Sequence, residues 1–130
     1  MFRGVAGSQD SFEEYTIYHN PRCSKSRQTL QLLRDRGVDA EIVEYLKEPP
    51  TRSELRQIVR ALGIPARDLI RRKEKMFAEV GDAGIRYSDS AAIDLLVEYP
   101  RLIERPIVLR GNRAVIGRPP ENILELVEDE

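Results

Sequence analysis

The chain has 130 residues, of which 41% are hydrophobic and 33% charged, and its formal net charge is -1. This size and balance are typical of one soluble globular domain and argue against a disordered chain. Without a basic excess or an apolar run of membrane length, neither a nucleic acid nor a membrane is expected as a partner.

The amino-terminal segment lacks the apolar stretch of a secretory signal, so we interpret residues 1–13 as a flexible tail and 14–130 as one domain. Cys23 is the only cysteine, which excludes an internal disulfide and a cysteine-rich metal site. With no export signal, the cytoplasm is the expected compartment. Any redox chemistry at Cys23 would then need a thiol from another molecule.

The first third of the chain predicts a β-α-β unit. The pattern indicates a strand over 15–18, a helix that stops at Gly37, and a second strand over 41–45. Ser24 or Ser26 is the expected cap at the start of the helix. The two strands of such a unit are parallel, with a right-handed crossover.

The middle of the chain predicts a helical block. Thr51 and Glu54 fit a capping box at its start. The predicted helices are one that stops at Gly63, a short one over 64–72, one within 73–83, and one that is capped by Ser88 and ends before Pro100.

The last third predicts a β-hairpin and a helix. Two β-prone runs, 106–109 and 114–116, flank Gly111-Asn112, and a final apolar helical stretch follows Pro119-Pro120. The order β-α-β, helical block, β-β-α predicts an α/β fold with a thioredoxin-like mixed sheet. The helical block, about residues 51–100, would be an insertion between the two halves.

Cys23 lies at the predicted junction between the first strand and the first helix. Unpaired backbone N–H groups and the positive end of the helix dipole favour a thiolate there. The dipole contributes about 1 kcal/mol, which is less than one pKa unit, so a reactive thiol needs further positive charge. The alternative is that Cys23 is a small buried hydrophobe, and its polar neighbours argue against that.

The residues around Cys23 leave several roles open. Cys23 and Ser26 form a C-x-x-S pattern, in which Ser26 cannot resolve a mixed disulfide. His19 is a candidate general base, thiolate partner or orienting group, and equally a loop histidine that satisfies backbone groups.

The chain resembles the glutaredoxin-coupled arsenate reductases over about residues 14–128. The segments that carry the resemblance are His19-Asn20-Pro21-x-Cys23-x-x-Ser26-Arg27-x-Thr29-Leu30, Tyr45-Leu46-x-x-Pro49-Pro50-x-Arg52-x-Glu54-Leu55, Arg71, Arg105-Pro106-Ile107-Val108 and Gly117-Arg118-Pro119. The combination is specific, although each piece alone is weak. Arg22 departs from the small residue that often precedes the cysteine in the family.

The resemblance implies a thioredoxin-like fold with a helical insertion and a catalytic cysteine, Cys23. It implies that Arg71, Arg105 and Arg118 bind the arsenic oxyanion. Several arginine forks suit a tetrahedral dianion, and they would also lower the pKa of the thiol. His19 and Ser26 match family positions that support the cysteine.

Pro106 matches the proline that precedes the third strand in this fold and faces the cysteine through a cis bond. The alternative is an ordinary trans proline that opens an edge strand.

The reaction implied is reduction of arsenate to arsenite, with glutathione as co-substrate and glutaredoxin as partner. It needs no bound cofactor and no metal, and a monomer is expected. Three other functions stay open: a glutathione-dependent thiol reductase of the same fold, a Spx-type regulator that binds RNA polymerase, and an inactive module. The C-x-x-S pattern argues against the Spx-type switch, which commonly has C-x-x-C.

Overall fold

The computed structural model describes residues 14–81 and 87–127. The tail predicted for residues 1–13 lies outside them. The strands are β1 (Tyr15–His19), β2 (Glu41–Glu44), β3 (Ile107–Arg110) and β4 (Arg113–Ile116). The α-helices are α1 (Ser24–Asp35), α2 (Arg52–Leu62), α3 (Lys75–Val80), α4 (Asp89–Glu98) and α5 (Leu124–Val127). Short 3-10 helices cover Ala66–Leu69, Pro100–Leu102 and Pro120–Ile123.

The four strands form one mixed sheet in the order β2-β1-β3-β4. Strand β1 is parallel to β2 and antiparallel to β3, and β3 is antiparallel to β4. In this register Ile17 lies opposite Ile42 on one side and Val108 on the other. The predicted thioredoxin-like fold is confirmed: β1-α1-β2 and the β3-β4 hairpin with α5 are joined through the β1–β3 pair.

The sheet separates two hydrophobic clusters because side chains alternate between its faces. Val108 packs with Ile17 and Leu33 in the cluster that includes α1 and α5. The next residue along the strand, Ile107, packs in the cluster that includes Leu55 and the rest of the inserted helices. All of these side chains are buried. The fold thus fixes β1 and β3, whose ends carry Cys23 and Arg105, between two packed layers.

The helix starts agree with the sequence at two places and differ at one. Thr51 and Glu54 form the predicted capping box, and Ser88 accepts a hydrogen bond from the N–H of Ala91. The prediction that Ser24 or Ser26 caps α1 is wrong. Cys23 occupies the N-cap position, without a side-chain capping bond, and both serines lie inside the helix.

The insertion is less helical than its sequence pattern predicts. The short helix predicted over 64–72 is a 3-10 turn that ends at Leu69, after which Ile70 forms an isolated bridge with Ile103. Backbone bonds fix this bridge, because Arg71 N donates to Leu102 O at 2.6 Å and Glu104 N donates to Leu69 O at 2.9 Å. The helix predicted within 73–83 is α3, and residues 82–86 lie outside the described part of the chain.

The hairpin turns at Gly111, whose φ of 60° suits glycine. Within residues 14–81 and 87–127, no helix combines the length and the apolarity that crossing a bilayer requires.

Candidate functional site

The thiol of Cys23 lies at the first turn of α1 and is partly exposed. Burial raises the pKa of this thiol, but hydrogen bonds from the backbone N–H groups of Ser26 and Lys25 and from the side chain of Arg105 outweigh it. The net result is a lowered pKa. The N–H groups at the start of α1 and the side chain of Arg105 together lower the thiol pKa, which the helix dipole alone would not lower enough.

Arg105 and Arg118 approach the sulfur from the hairpin side of the sheet. Arg118 Nη2 lies 3.6 Å from Cys23 Sγ, and Arg118 Nε donates to the carbonyl oxygen of Arg105 at 3.2 Å. Arg105 precedes β3 and its side chain is only 13% exposed. Each arginine is therefore held beside the sulfur by an end of the hairpin.

Arg71 comes from the insertion and completes the group. The Ile70–Ile103 bridge places it next to the segment that leads into Arg105. Arg71 Nη1 and Arg105 Nε are both buried without a hydrogen-bond partner. The hydrogen-bonding capacity of these two guanidinium donors is therefore not satisfied by the described residues.

One cavity of about 680 Å³ contains the whole group. Its lining includes Cys23 and the three arginines predicted from the sequence, Arg71, Arg105 and Arg118. The other lining residues are Asn20, Arg22, Ser24, Lys25, Tyr45, Leu46, Glu74 and Arg101. Such a strongly cationic cavity next to a thiol of lowered pKa suits a small oxyanion that a sulfur can attack.

His19 and Ser26 are bonded to each other. His19 Nδ1 lies 2.6 Å from Ser26 Oγ, and Ser26 Oγ also accepts from the N–H of Asn20 at 3.0 Å. Burial lowers the pKa of His19, with Arg34 and Arg27 adding to it and Glu44 opposing it. The contact joins the end of β1 to the start of α1, on either side of Cys23.

The Arg105–Pro106 peptide bond is cis. The Arg118–Pro119 bond is also cis, which the sequence did not indicate. Gly117 precedes the second cis bond by one residue, and a Cβ atom on it would stand 2.6 Å from Thr29 Oγ1 and 3.0 Å from Pro106 Cγ. Glycine at 117 allows the β4 end to pack closely against α1 and Pro106.

Tyr45 is a site residue that sequence reasoning did not single out. It is 1% exposed, and burial raises the pKa of its phenol to about 12, with Arg105 opposing the shift and Cys23 adding to it. The phenol therefore stays protonated near neutral pH, close to the Cys23 thiol and Arg105. Its place in the Tyr45-Leu46 segment of the resemblance was the available signal.

Glu74 is the second residue that was missed. Its carboxylate lies 3.7 Å from Arg71 Nη1, 3.9 Å from Arg105 Nη1 and 3.8 Å from Arg101 Nε. No sequence pattern indicated it, since only the fold brings residues 74 and 105 together.

Comparisons with known proteins identify the family and the fold. The model of the ArsC family matches residues 18–126. An uncharacterized protein of Escherichia coli, YfgD, is 47% identical over 88% of this chain and 98% of its own length. An arsenate reductase of Neisseria meningitidis is 46% identical over 85% of this chain and 95% of its own length. The structure of an arsenate reductase from Vibrio cholerae superposes with a TM-score of 0.79 at 42% identity, covering 87% of this chain and 97% of that one.

Proposed function

This chain belongs to the ArsC family, and we propose that it is an arsenate reductase in which the Cys23 thiolate is the nucleophile. The relatives that bear this name support the reaction. What supports it most directly is the cavity, where a thiol of lowered pKa lies beside guanidinium groups with unsatisfied hydrogen-bond donors.

In the proposed first step, Arg71, Arg105 and Arg118 bind the arsenate oxygens and hold arsenic near Cys23 Sγ. Bidentate guanidinium bonds neutralise the dianion and fix its orientation. The thiolate attacks arsenic(V), a sulfur–arsenic bond forms, and one arsenate oxygen leaves as water after protonation.

The second step takes two electrons from thiols. A glutathione thiolate attacks the Cys23 sulfur of the adduct and forms a disulfide bond with it. The electron pair of the sulfur–arsenic bond stays with arsenic, which becomes arsenic(III). Cys23 and glutathione are left as a mixed disulfide. A glutaredoxin resolves that disulfide and regenerates Cys23, because the chain has no second thiol to do so.

The same proposal assigns the chain to the cytoplasm, where glutathione keeps thiols reduced. It acts there as a single-domain monomer without a bound cofactor or metal. Tyr45 donates to the bound oxyanion, and His19 with Ser26 keeps the loop in place.

The test is arsenate-dependent oxidation of NADPH with glutathione, glutaredoxin and glutathione reductase supplied. Cys23→Ser should abolish turnover, and Arg105→Ala should lower kcat/KM by about 100-fold or more. Arg56→Ala is the matched control, because Arg56 is exposed on α2 and outside the cavity.

Absence of arsenate-dependent turnover in the unmodified protein, with Cys23 still titrating as an acidic thiol, would overturn the proposal. A glutathione-dependent thiol reductase would then be the function to test.

A further inference from the structure

Glu74 lies at the N-cap position of α3 but makes no side-chain bond to that helix. Its side chain turns instead to the cavity, where it is 17% exposed and faces the guanidinium groups of Arg71, Arg105 and Arg101. Because the Glu74 carboxylate contacts arginines of the cavity and not the start of α3, Glu74 belongs to the candidate site.

The ion pairs of Glu74 are longer than hydrogen bonds. The three separations run from 3.7 to 3.9 Å. Arg71 Nη1 keeps no hydrogen-bond partner in spite of its ion pair. Glu74 therefore reduces the positive charge of the cavity without occupying the donors that an oxyanion would use.

Among the described residues that line the cavity, Glu74 is the one carboxylate beside five arginines and one lysine. An oxyanion bonded to Arg71 and Arg105 would lie close to a carboxylate that only accepts hydrogen bonds. An oxyanion that carries a hydroxyl can donate that hydrogen to Glu74. One without a hydroxyl presents only negative oxygens to it and is repelled.

We propose that Glu74 makes the site selective for protonated tetrahedral oxyanions over fully deprotonated ones. Near neutral pH arsenate and phosphate carry a proton, whereas sulfate carries none, so sulfate is the anion excluded. This inference rests on the proposed function for its substrate. It concerns the binding step, which phosphate and sulfate report without any turnover.

The experiment measures dissociation constants of phosphate, arsenate and sulfate by calorimetry near neutral pH. It uses the Cys23→Ser chain, so that no covalent step contributes. A hydrogen bond to a charged group predicts a preference of about tenfold or more for phosphate over sulfate with Glu74 intact. Arsenate should behave like phosphate.

Glu74→Gln is the informative variant, because glutamine keeps the shape but can both donate and accept. We expect sulfate to bind about tenfold more tightly and phosphate to change much less, so that the preference falls to about threefold or below. Glu79→Gln, which removes an exposed carboxylate of α3 outside the cavity, should leave the preference as it was. Glu74→Asp should retain part of it, and this variant serves if Glu74→Gln does not fold.

Two results would overturn the inference. If Glu74→Gln tightens sulfate and phosphate equally, Glu74 is only a counter-charge. If neither constant changes, it does not face the bound anion. A chain that does not reduce arsenate but loses its phosphate preference in Glu74→Gln would refute the proposed function and leave this inference standing.

Discussion

Ser26 Oγ lies 2.6 Å from His19 Nδ1, while the backbone N–H of Ser26 helps to lower the pKa of the Cys23 thiol. The serine of the C-x-x-S pattern thus connects the histidine at the end of β1 to the thiolate at the start of α1. The main chain of Ser26 lowers the pKa of the thiol, and its hydroxyl holds the loop in place.

Ser26→Ala should destabilise the protein by about 1–3 kcal/mol, because it removes the partner of His19 and the acceptor of the Asn20 N–H. Urea unfolding at a fixed pH measures the change. Ser24→Ala, at an exposed position of the same turn, should cost about 0.5 kcal/mol or less. Equal costs for the two variants would contradict the bracing role.

Arg105→Ala should raise the pKa of Cys23, because Arg105 bonds the thiolate and adds positive charge near it. The pH dependence of alkylation by iodoacetamide gives the midpoint directly. Arg56→Ala should leave that midpoint unchanged. A midpoint that does not move in Arg105→Ala would show that the helix start and Arg118, not Arg105, set the acidity of the thiol.

His19 should make stability fall as the pH falls. Its folded pKa lies below the ordinary value, so the unfolded chain takes up a proton first and is favoured below that ordinary value. Between about pH 7 and pH 5 the free energy of unfolding should decrease more steeply in the unmodified chain than in His19→Gln. His19 is the only histidine, so the difference in slope belongs to it. Parallel slopes would contradict the prediction.

Gly117→Ala should cost about 1–3 kcal/mol, because the new Cβ would overlap Thr29 Oγ1 and press on Pro106. The cost should shrink by about 0.5 kcal/mol or more in a Thr29→Ala background, since the closest contact is then gone. Thermal unfolding of the four chains of this cycle tests both statements. Strict additivity would show that the threonine does not limit the space at residue 117.

Local patterns predicted the parts of the fold that local physics controls. The capping box at Thr51, the stop at Gly63 and the hairpin at Gly111 depend on neighbouring residues, and each is found as expected. Where the 3-10 turn ends at Leu69 depends on tertiary packing, so the pattern overestimated the helix predicted over 64–72.

The candidate site likewise has residues that local sequence predicts and residues that only the folded chain brings together. Cys23 was identified from its position at a helix start, and its lowered pKa follows from that position together with Arg105. Composition and spacing could not choose Arg71, Arg105 and Arg118 from the other arginines, and only the resemblance did. Glu74 had neither kind of signal, because its ion pair with Arg105 spans 31 positions, from 74 to 105, and exists only in the folded chain.

The strand order β2-β1-β3-β4 has a consequence for synthesis on the ribosome. Strand β1 and Cys23 emerge early, but β3, which pairs with β1 and follows Arg105, emerges some 80 residues later. A nascent chain that has not reached Arg105 lacks the guanidinium that helps to make the thiol acidic. Cys23 is therefore synthesised well before Arg105, and the pKa of its thiol reaches its lowered value only when the hairpin joins the sheet.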